Sequence, residues 1–315
     1  MMLLCMKKDM NTLVFTQRFP DETACREHYR DMRIKQGLTC KKCGGTSHFW
    51  LASKWQFECK ICHFRTTLRS GTMMEHSNLP FRIWYLAILF MTATKKGVSA
   101  CEMQRQLGYK RYMTVWSLMH RIRALMGKRD DLYSLTGMIE FDEGFFEIAT
   151  SANERKSLKR GKGSQRQEDV GVMAESTPLE DIDTGIESKH CRYFKMKVLD
   201  SQKSESVNTL FQDNVTSDSV AFTDQGNNYQ DLHKFVDMHV TEKSSKLTTK
   251  TTLKWAHIAI SNAKRTFLGV YHKMSSDYLQ NYLNEFAYKL NRRNFADLFE
   301  RVIIAAVFPY WYKSA

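Results

Sequence analysis

Two pairs of cysteines near the N-terminus restrict the fold of this chain more than any other feature. Cys40 and Cys43 form the first Cys-x-x-Cys pair, and Cys59 and Cys62 form the second, with fifteen residues between the pairs. Four thiolates at this spacing can close a tetrahedral zinc site, and so short a segment depends on such a metal to fold. The sequence therefore predicts a zinc ribbon with a structural Zn²⁺, in preference to four incidental buried or redox-active thiols.

The charge of the chain indicates the kind of partner it has. Its 315 residues carry a formal net charge of +13, which suits a polyanion such as DNA. The first ten residues mix apolar and charged side chains, so no signal peptide is predicted. The longest apolar run, residues 83–91, is too short to span a bilayer. We therefore expect a cytoplasmic, nucleoid-associated protein with no membrane partner.

A helix-turn-helix is predicted after the ribbon. Ser99 followed by Glu102 is a typical start of a capped helix, Leu107-Gly108 ends it, and a second helix follows over residues 111–126. The alternative is a helical hairpin that serves as a spacer. If the second helix enters the major groove, we expect basic and hydroxyl side chains on its open face: Lys110, Arg111, Thr114, Ser117 and Arg121.

The second half of the chain has a different pattern, in which strands come first and then alternate with helices. The predicted strands cover residues 138–146, 169–174, 193–199, 219–223 and 238–240. This order is typical of an α/β domain with a mixed sheet flanked by helices. The whole chain is predicted to be a multidomain α+β protein with a helical lead-in, a ribbon, a helix-turn-helix region, a catalytic domain and a tail: residues 1–37, 38–72, 73–134, 135–293 and 294–315. In the lead-in, residues 13–15 are a strand candidate.

Two aspartates and a following histidine and lysine point to phosphoryl-transfer chemistry. Asp142 lies within an apolar strand, where a carboxylate is costly unless it binds something, and Asp224 ends a second strand. His257 and Lys264 are seven residues apart on a predicted helix, so they share one face. Carboxylates that hold two divalent ions are the core of such sites. Taken singly, each aspartate is often only a turn former, and a lone helical histidine is more often structural.

The order of these motifs resembles that of a known family. From residue 39 to about 293 the chain is similar to bacterial insertion-sequence transposases that have an N-terminal zinc ribbon and an RNase H-like DDE catalytic domain. The matching pieces are the cysteine pairs, Arg69-Ser70-Gly71-Thr72, Gly97-Val98-Ser99-Ala100, Ile139-Glu140-Phe141-Asp142-Glu143, Thr223-Asp224, Lys264-Arg265, Gly269-Val270-Tyr271-His272, Tyr282-Leu283-Asn284-Glu285-Phe286 and Asn291-Arg292-Arg293.

The resemblance is to a branch with Asp, Asp, His and Lys in place of Asp, Asp, Glu and Lys. It implies that Asp142, Asp224 and His257 bind catalytic Mg²⁺ or Mn²⁺ and that Lys264 contacts the DNA end. Glu285 is the alternative third ligand, and Asn262 is a weaker candidate. Because a nitrogen ligand suits Mn²⁺ better than Mg²⁺, we expect Mn²⁺ to support activity at least as well, and protonation of the imidazole in acid to weaken it.

The resemblance also implies a function and partners. The protein would bind the terminal inverted repeats of its element, cleave the DNA and transfer the strand to target DNA, acting as a homo-oligomer. Further DNA contacts are expected from Arg265 and from a basic loop over residues 155–166 that includes Lys159, Arg160 and Lys162. The competing interpretations are a non-catalytic DNA-binding protein derived from a transposase and an RNase H-like nuclease.

Overall fold

The computed structural model describes residues 10–150, 164, 166–180, 187–201, 203–243, 245 and 250–308. The chain divides into two compact units, one formed by residues 1–129 together with 294–315 and the other by residues 130–293. Across the described ranges, no helix combines the length and the apolar character that crossing a bilayer requires.

The first unit begins with helix α1 (Thr12–Arg18). The assignment of residues 13–15 to a strand is therefore wrong. Asn11 caps the helix, since its side chain accepts a hydrogen bond from the Val14 amide at 2.9 Å, and Phe15 is fully buried. A local cap and the burial of one aromatic ring outweigh the β propensity of a short apolar run.

The cysteine region of this unit forms a small antiparallel sheet. Among the described residues, its strand order is β1 (His48–Leu51), β2 (Gln56–Cys59) and β3 (Arg65–Thr67). Helix α2 (Glu22–Gln36) contacts the end of this sheet. The buried Arg33 of α2 donates hydrogen bonds to the carbonyl oxygens of Thr67 and Leu68 at 2.8 and 2.9 Å. The sheet has little core of its own, so contacts of this kind support it from outside.

Three further helices follow in the first unit: α3 (Phe81–Ala93), and then α4 (Ala100–Leu107) and α5 (Tyr112–Asp131), where the sequence predicted a pair of helices. Ser99 caps α4 by accepting from the Glu102 amide at 3.2 Å. Gly108 ends it at φ +60°, a left-handed conformation that glycine adopts without a steric cost. The turn between α4 and α5 is therefore short.

The end of the chain contributes a packed helix to the first unit. The C-terminal helix (Leu298–Val307) contacts α2 and α3. Its Phe299 ring lies 6.0 Å from the ring of Phe15, and the Tyr29 hydroxyl donates to the Ala306 carbonyl at 3.1 Å. The segment from residue 294 is thus more than the tail that the sequence suggested.

The second unit is built on one mixed sheet. Within the described residues its strand order is β6-β5-β4-β7-β8. The first three strands of this unit, β4, β5 and β6, pair antiparallel, and β4, β7 and β8 run parallel. The strands are β4 (Met138–Glu147), β5 (Gln167–Glu180), β6 (Glu187–Val198), β7 (Val220–Asp224) and β8 (Met238–Glu242).

Helices cover both faces of this sheet. One face packs against α7 (Lys254–Val270) and α8 (Ser276–Asn291), with Phe194, Phe267 and Leu283 in the apolar cluster. The other packs against α6 (Ser204–Asn214) and a 3-10 helix (Asn227–Lys234). β5 and β6 are longer than the sequence predicted. The two strands pair with each other along most of their length, and this pairing continues through polar residues at their ends.

Candidate active site and metal centre

Alternate residues of β4 face helix α7. The Glu140 carboxylate accepts from the first turn of the helix, and Asp142 lies beside His257. A Cβ atom built on Gly144 would lie 3.3 Å from the side chain of Ile260, so a glycine allows the helix to lie close to the strand. Because side chains alternate along a strand, these three positions share one face. The strand and the helix thus meet along a line that carries two carboxylates.

Asp142 and His257 come together in this structure. The His257 Nδ1 and the Asp142 Oδ2 are 3.4 Å apart, and their side chains are 36% and 19% exposed. Burial raises the pKa of the Asp142 carboxyl; His257 and Lys264 oppose that rise, and the negative charge of Asp224 adds to it. The carboxyl is therefore in a poorly solvated position next to both like and unlike charges.

Asp224 lies at the carboxyl end of β7, the neighbour of β4. Glu140 pairs with Phe222 in the parallel register, and continuing that register by two residues would bring Asp142 level with Asp224 on the same face. The Asp224 Oδ1 is buried and has no hydrogen-bond partner among the described residues. A buried carboxylate oxygen without a donor is costly, and a divalent cation would satisfy it.

These three side chains make a donor set that fits a divalent ion. Two carboxylates and one imidazole are ligands that Mg²⁺ and Mn²⁺ accept. In the described ranges, the potential metal-ligand atoms that all lie within 4.8 Å of one another are those of the four cysteines described below. The ligand atoms of Asp142, Asp224 and His257 lie further apart than that. The fit therefore rests on the orphan oxygen of Asp224 and on the closeness of Asp142 and His257.

Lys264 lies two turns after His257 on α7. Its side chain is exposed, and its Nζ lies 5.7 Å from the centre of the Phe146 ring. It is near enough to Asp142 to help lower the pKa of that carboxyl. Arg265, the next residue, donates to the Asn262 Oδ1 at 2.8 Å, so it engages the weaker candidate for a third ligand.

Glu285, the alternative third ligand, lies on α8 and contacts side chains of α8 and of the residue that follows α7. It is 3% exposed, accepts from the Tyr271 hydroxyl at 3.3 Å and lies 3.8 Å from the Lys289 Nζ. These contacts support a structural part for Glu285. Glu143 points to the opposite face of the sheet, towards Tyr229. Burial of the Tyr229 hydroxyl raises its pKa, and the negative charge of Glu143 adds to that rise.

Two acidic residues that the sequence reasoning passed over lie close to this region. Glu140 is fully buried and accepts backbone hydrogen bonds from α7. Glu242 pairs with Asp224 in the register of β7 and β8 and accepts from the Thr252 hydroxyl at 2.7 Å. A useful signal for Glu140 was available: a second acid two positions before Asp142, in an apolar strand, shares its face.

The four predicted cysteines converge in the first unit. Their sulfur atoms all lie within 4.8 Å of one another, with 3.5 Å from Cys40 to Cys62 and 3.6 Å from Cys43 to Cys59. Sulfurs at about 2.3 Å from one tetrahedral zinc ion would be about 3.8 Å apart. The cluster therefore fits a zinc ribbon and can bind zinc.

The backbone around the cysteines also suits a metal site. The amides of Gly44 and His63 donate to the carbonyls of Cys40 and Cys59 at 2.9 and 3.0 Å, and both residues have positive φ. Burial opposes ionisation of the Cys40 thiol, but backbone hydrogen bonds from Cys43 and Lys42 outweigh it and lower the pKa to about 7. At Cys43 the backbone hydrogen bond from Gly45 is outweighed by hydrogen bonds with the other thiols and by burial, which raise the pKa to about 12. A thiolate is the form that binds metal.

The predicted DNA contacts occupy different environments. Lys110 and Arg111 are exposed in the turn before α5. Arg121 is half-buried, and its guanidinium donates to the Glu75 carbonyl at 2.9 Å, so it is tied into its own unit. Arg265 is exposed on α7. Lys159, Arg160 and Lys162 lie outside the described residues.

The topology defines the class of the second unit. Three antiparallel strands followed by two parallel ones, with the first strand at the centre, make an RNase H-like sheet. An RNase H-like domain after a zinc-ribbon cysteine cluster is the arrangement that the sequence resemblance predicts. Residues 134–291, half of the chain, match the family of ISXO2-like transposase domains, and the chain belongs to this family.

A similar protein comes from a mobile element. It is a protein of Halobacterium salinarum described as an uncharacterized protein in transposable element ISH50, 26% identical over 149 residues. The match covers 46% of this chain and 49% of that protein, so the chain spans about half the length of this relative.

Proposed function

We propose that this protein is the transposase of an insertion sequence, and that it catalyses metal-dependent DNA cleavage and strand transfer. The observation that carries the proposal is the 3.4 Å approach of His257 to Asp142 on an RNase H-like sheet, with Asp224 at the carboxyl end of the neighbouring strand β7. Membership of a transposase family supports transposition over other uses of this fold.

Asp142, Asp224 and His257 would hold the catalytic Mg²⁺ or Mn²⁺. Divalent ions bound there supply an activated nucleophilic oxygen and neutralise the charge that develops on the phosphate. The buried Oδ1 of Asp224 and the poorly solvated carboxyl of Asp142 gain most from a cation. The neutral nitrogen of His257 makes Mn²⁺ at least as good a cofactor as Mg²⁺.

The remaining chemistry is positioning of the DNA by cationic side chains. Lys264 is exposed on the same helix face as His257, so its ammonium group can bind a phosphate of the DNA end beside the metal ligands. Arg265 follows it and can contact the backbone further along. Such contacts hold the reacting phosphate in line with the attacking oxygen.

Recognition of the terminal inverted repeats belongs to the first unit in this proposal. Lys110 and Arg111 stand exposed at the start of α5, where a recognition helix contacts bases, and structural Zn²⁺ on the four cysteines holds the ribbon together. Because Arg121 is engaged with Glu75, we rank it below these two. Lys159, Arg160 and Lys162 stay predictions, as does a homo-oligomer that would pair two DNA ends and engage the target.

A cleavage and joining assay tests the function. Labelled DNA with the ends of the element is incubated with the protein and Mg²⁺ or Mn²⁺, beside Asp224→Asn as the matched inactive variant. We expect joined products that disappear with Asp224→Asn. Binding without cleavage in either metal would support a DNA-binding derivative of a transposase, and cleavage without joining would support a nuclease.

A further inference from the structure

Helix α7, which carries His257 and Lys264, begins without a cap of its own. The residue before it is Leu253, whose side chain makes no capping hydrogen bond, and the first turn has no acidic residue. The first amides of any helix need an acceptor, and an uncapped end frays. Something outside the helix must therefore hold this first turn in place.

Glu140 of β4 supplies that acceptor. Its Oε2 accepts from the Trp255 amide at 2.6 Å and from the Ala256 amide at 3.3 Å, and the residue is fully buried. Burying a carboxylate is unfavourable unless hydrogen bonds and positive charge compensate. The positive end of the helix dipole provides both, so the carboxylate and the helix end stabilise each other.

The position of this contact matters for the candidate metal ligands. His257 directly follows Ala256 in the chain, and Asp142 lies two residues after Glu140 on the same face of β4. Strand β4 therefore carries both Asp142, a proposed metal ligand, and Glu140, which holds the helix that carries His257. The close contact at Gly144 and Ile260, one turn further along, keeps the helix against the strand.

We propose that Glu140 is a positioning residue that acts through His257: by holding the first turn of α7, it sets the imidazole at the distance from Asp142 at which both bind one divalent ion. The inference rests on the proposed function, because it requires that Asp142 and His257 bind a divalent ion. In this proposal Glu140 acts through its Oε2, which accepts hydrogen bonds from the helix amides.

The test compares three variants of the full-length protein. Glu140→Gln keeps the shape and removes the charge, Glu140→Asp keeps the charge on a shorter side chain, and Glu140→Ala removes both. Each is made alone and with His257→Ala. Phe267→Leu is the control, because it disturbs the packing of α7 far from its first turn.

Three measurements are made on each variant: Mn²⁺ affinity by electron paramagnetic resonance, hydrogen exchange of the peptide over residues 254–260, and cleavage of labelled element ends. In the wild-type background we expect Glu140→Gln and Glu140→Asp to weaken Mn²⁺ binding by about 10- to 100-fold and to speed exchange in that peptide. In the His257→Ala background the same changes should alter Mn²⁺ affinity less than about twofold, since coupled residues are not additive.

Equal losses of Mn²⁺ affinity in both backgrounds would overturn the inference, because Glu140 would then act independently of His257. Unchanged affinity in the wild-type background would overturn it as well, as would an equal loss in Phe267→Leu. If Glu140→Ala does not fold, the other two variants decide. A wild-type protein that neither binds Mn²⁺ nor cleaves DNA rejects the proposed function itself, and this inference with it.

Discussion

At the scale of single residues, the candidate site is marked by carboxylates placed where water is scarce. Asp142 was recognisable in the sequence because an ionisable group in an apolar strand is unexpected, and Asp224 because it ends a strand. Glu140 stands in the same strand, but its partners are backbone amides about 115 positions away in the chain. The sequence shows that Glu140 shares a face with Asp142, but it does not show which amides the carboxylate contacts.

His257 and Glu285 give the sharpest prediction at this scale. His257→Ala should lower strand transfer by about 100-fold or more, since changing even the partners of metal ligands costs about 10- to 100-fold. Glu285→Gln, an isosteric change at the alternative position, should keep activity within about threefold of wild type. Strand-transfer rates with Mg²⁺ and Mn²⁺ provide the measurement.

A third variant separates the ligand role from a packing role. His257→Glu places a carboxylate at the same position, and oxygen suits Mg²⁺, so activity with Mg²⁺ should recover relative to His257→Ala. Full activity of His257→Ala would remove His257 from the site. Equal losses for His257→Ala and Glu285→Gln would contradict the distinction that we draw between them.

Lys195 gives a prediction about pH and stability. Burial, and then the charge of Lys197, lower the pKa of this amine to about 8 from its ordinary 10.5. Between those two pH values the unfolded chain binds a proton that the folded chain does not, so the free energy of unfolding rises with pH. Lys195→Met should remove that rise.

Denaturant unfolding at pH 8 to 10 measures this effect. The difference in slope between wild type and Lys195→Met should be positive and at most about 1.4 kcal/mol per pH unit. Lys234→Met, which removes an exposed lysine of the same unit, serves as the matched control. Parallel slopes for wild type and Lys195→Met would contradict the assignment.

At the scale of elements, local signals were reliable wherever a few neighbouring residues decide the conformation. The cap at Ser99 and the left-handed Gly108 bound α4 as the sequence indicated. Residues 13–15 were misassigned because three apolar side chains have no distinct periodicity. Their helical state depends on the Asn11 cap and on a pocket for Phe15, which is lined in part by the C-terminal helix.

The ribbon is the element whose stability should depend most on metal. We expect about one zinc per chain, bound by the four cysteines. Cys59→Ser or a strong chelator should remove it and change the fluorescence of Trp50 and Trp55, whose rings lie 5.8 Å apart in the ribbon. Zinc content and emission spectra are the measurements.

Cys101→Ser is the matched control for that experiment, since Cys101 is exposed and lies outside the cluster. It should keep both the zinc and the spectrum. Zinc content that is unaffected by Cys59→Ser would contradict a four-cysteine site. The mixed sheet of residues 130–293 has its own apolar clusters, so its unfolding transition should persist after zinc is removed.

At the scale of the whole molecule, the chain forms two units whose division does not follow sequence order alone. The C-terminal helix joins the first unit, although the complete RNase H-like unit separates the two in the chain. Composition offers no sign of this arrangement. The sequence pattern of an apolar helix near the end of a chain does not depend on which unit the helix packs against. Only its contacts with α2 and α3 identify its unit.

The sequence by itself determined the features that depend on short spacing: the four-cysteine cluster, the capped helix α4, the alternation of β4 and the shared face of His257 and Lys264. These follow from the periods of strands and helices and from the reach of a metal. Tertiary structure alone decided that Asp142 meets His257, that Glu140 holds the first turn of α7 and that Glu285 is engaged elsewhere. The contacts of Asp142 and Glu140 join residues 115 positions apart, and that of Glu285 with Tyr271 joins residues 14 positions apart. All of them form only when the sheet and its helices pack together.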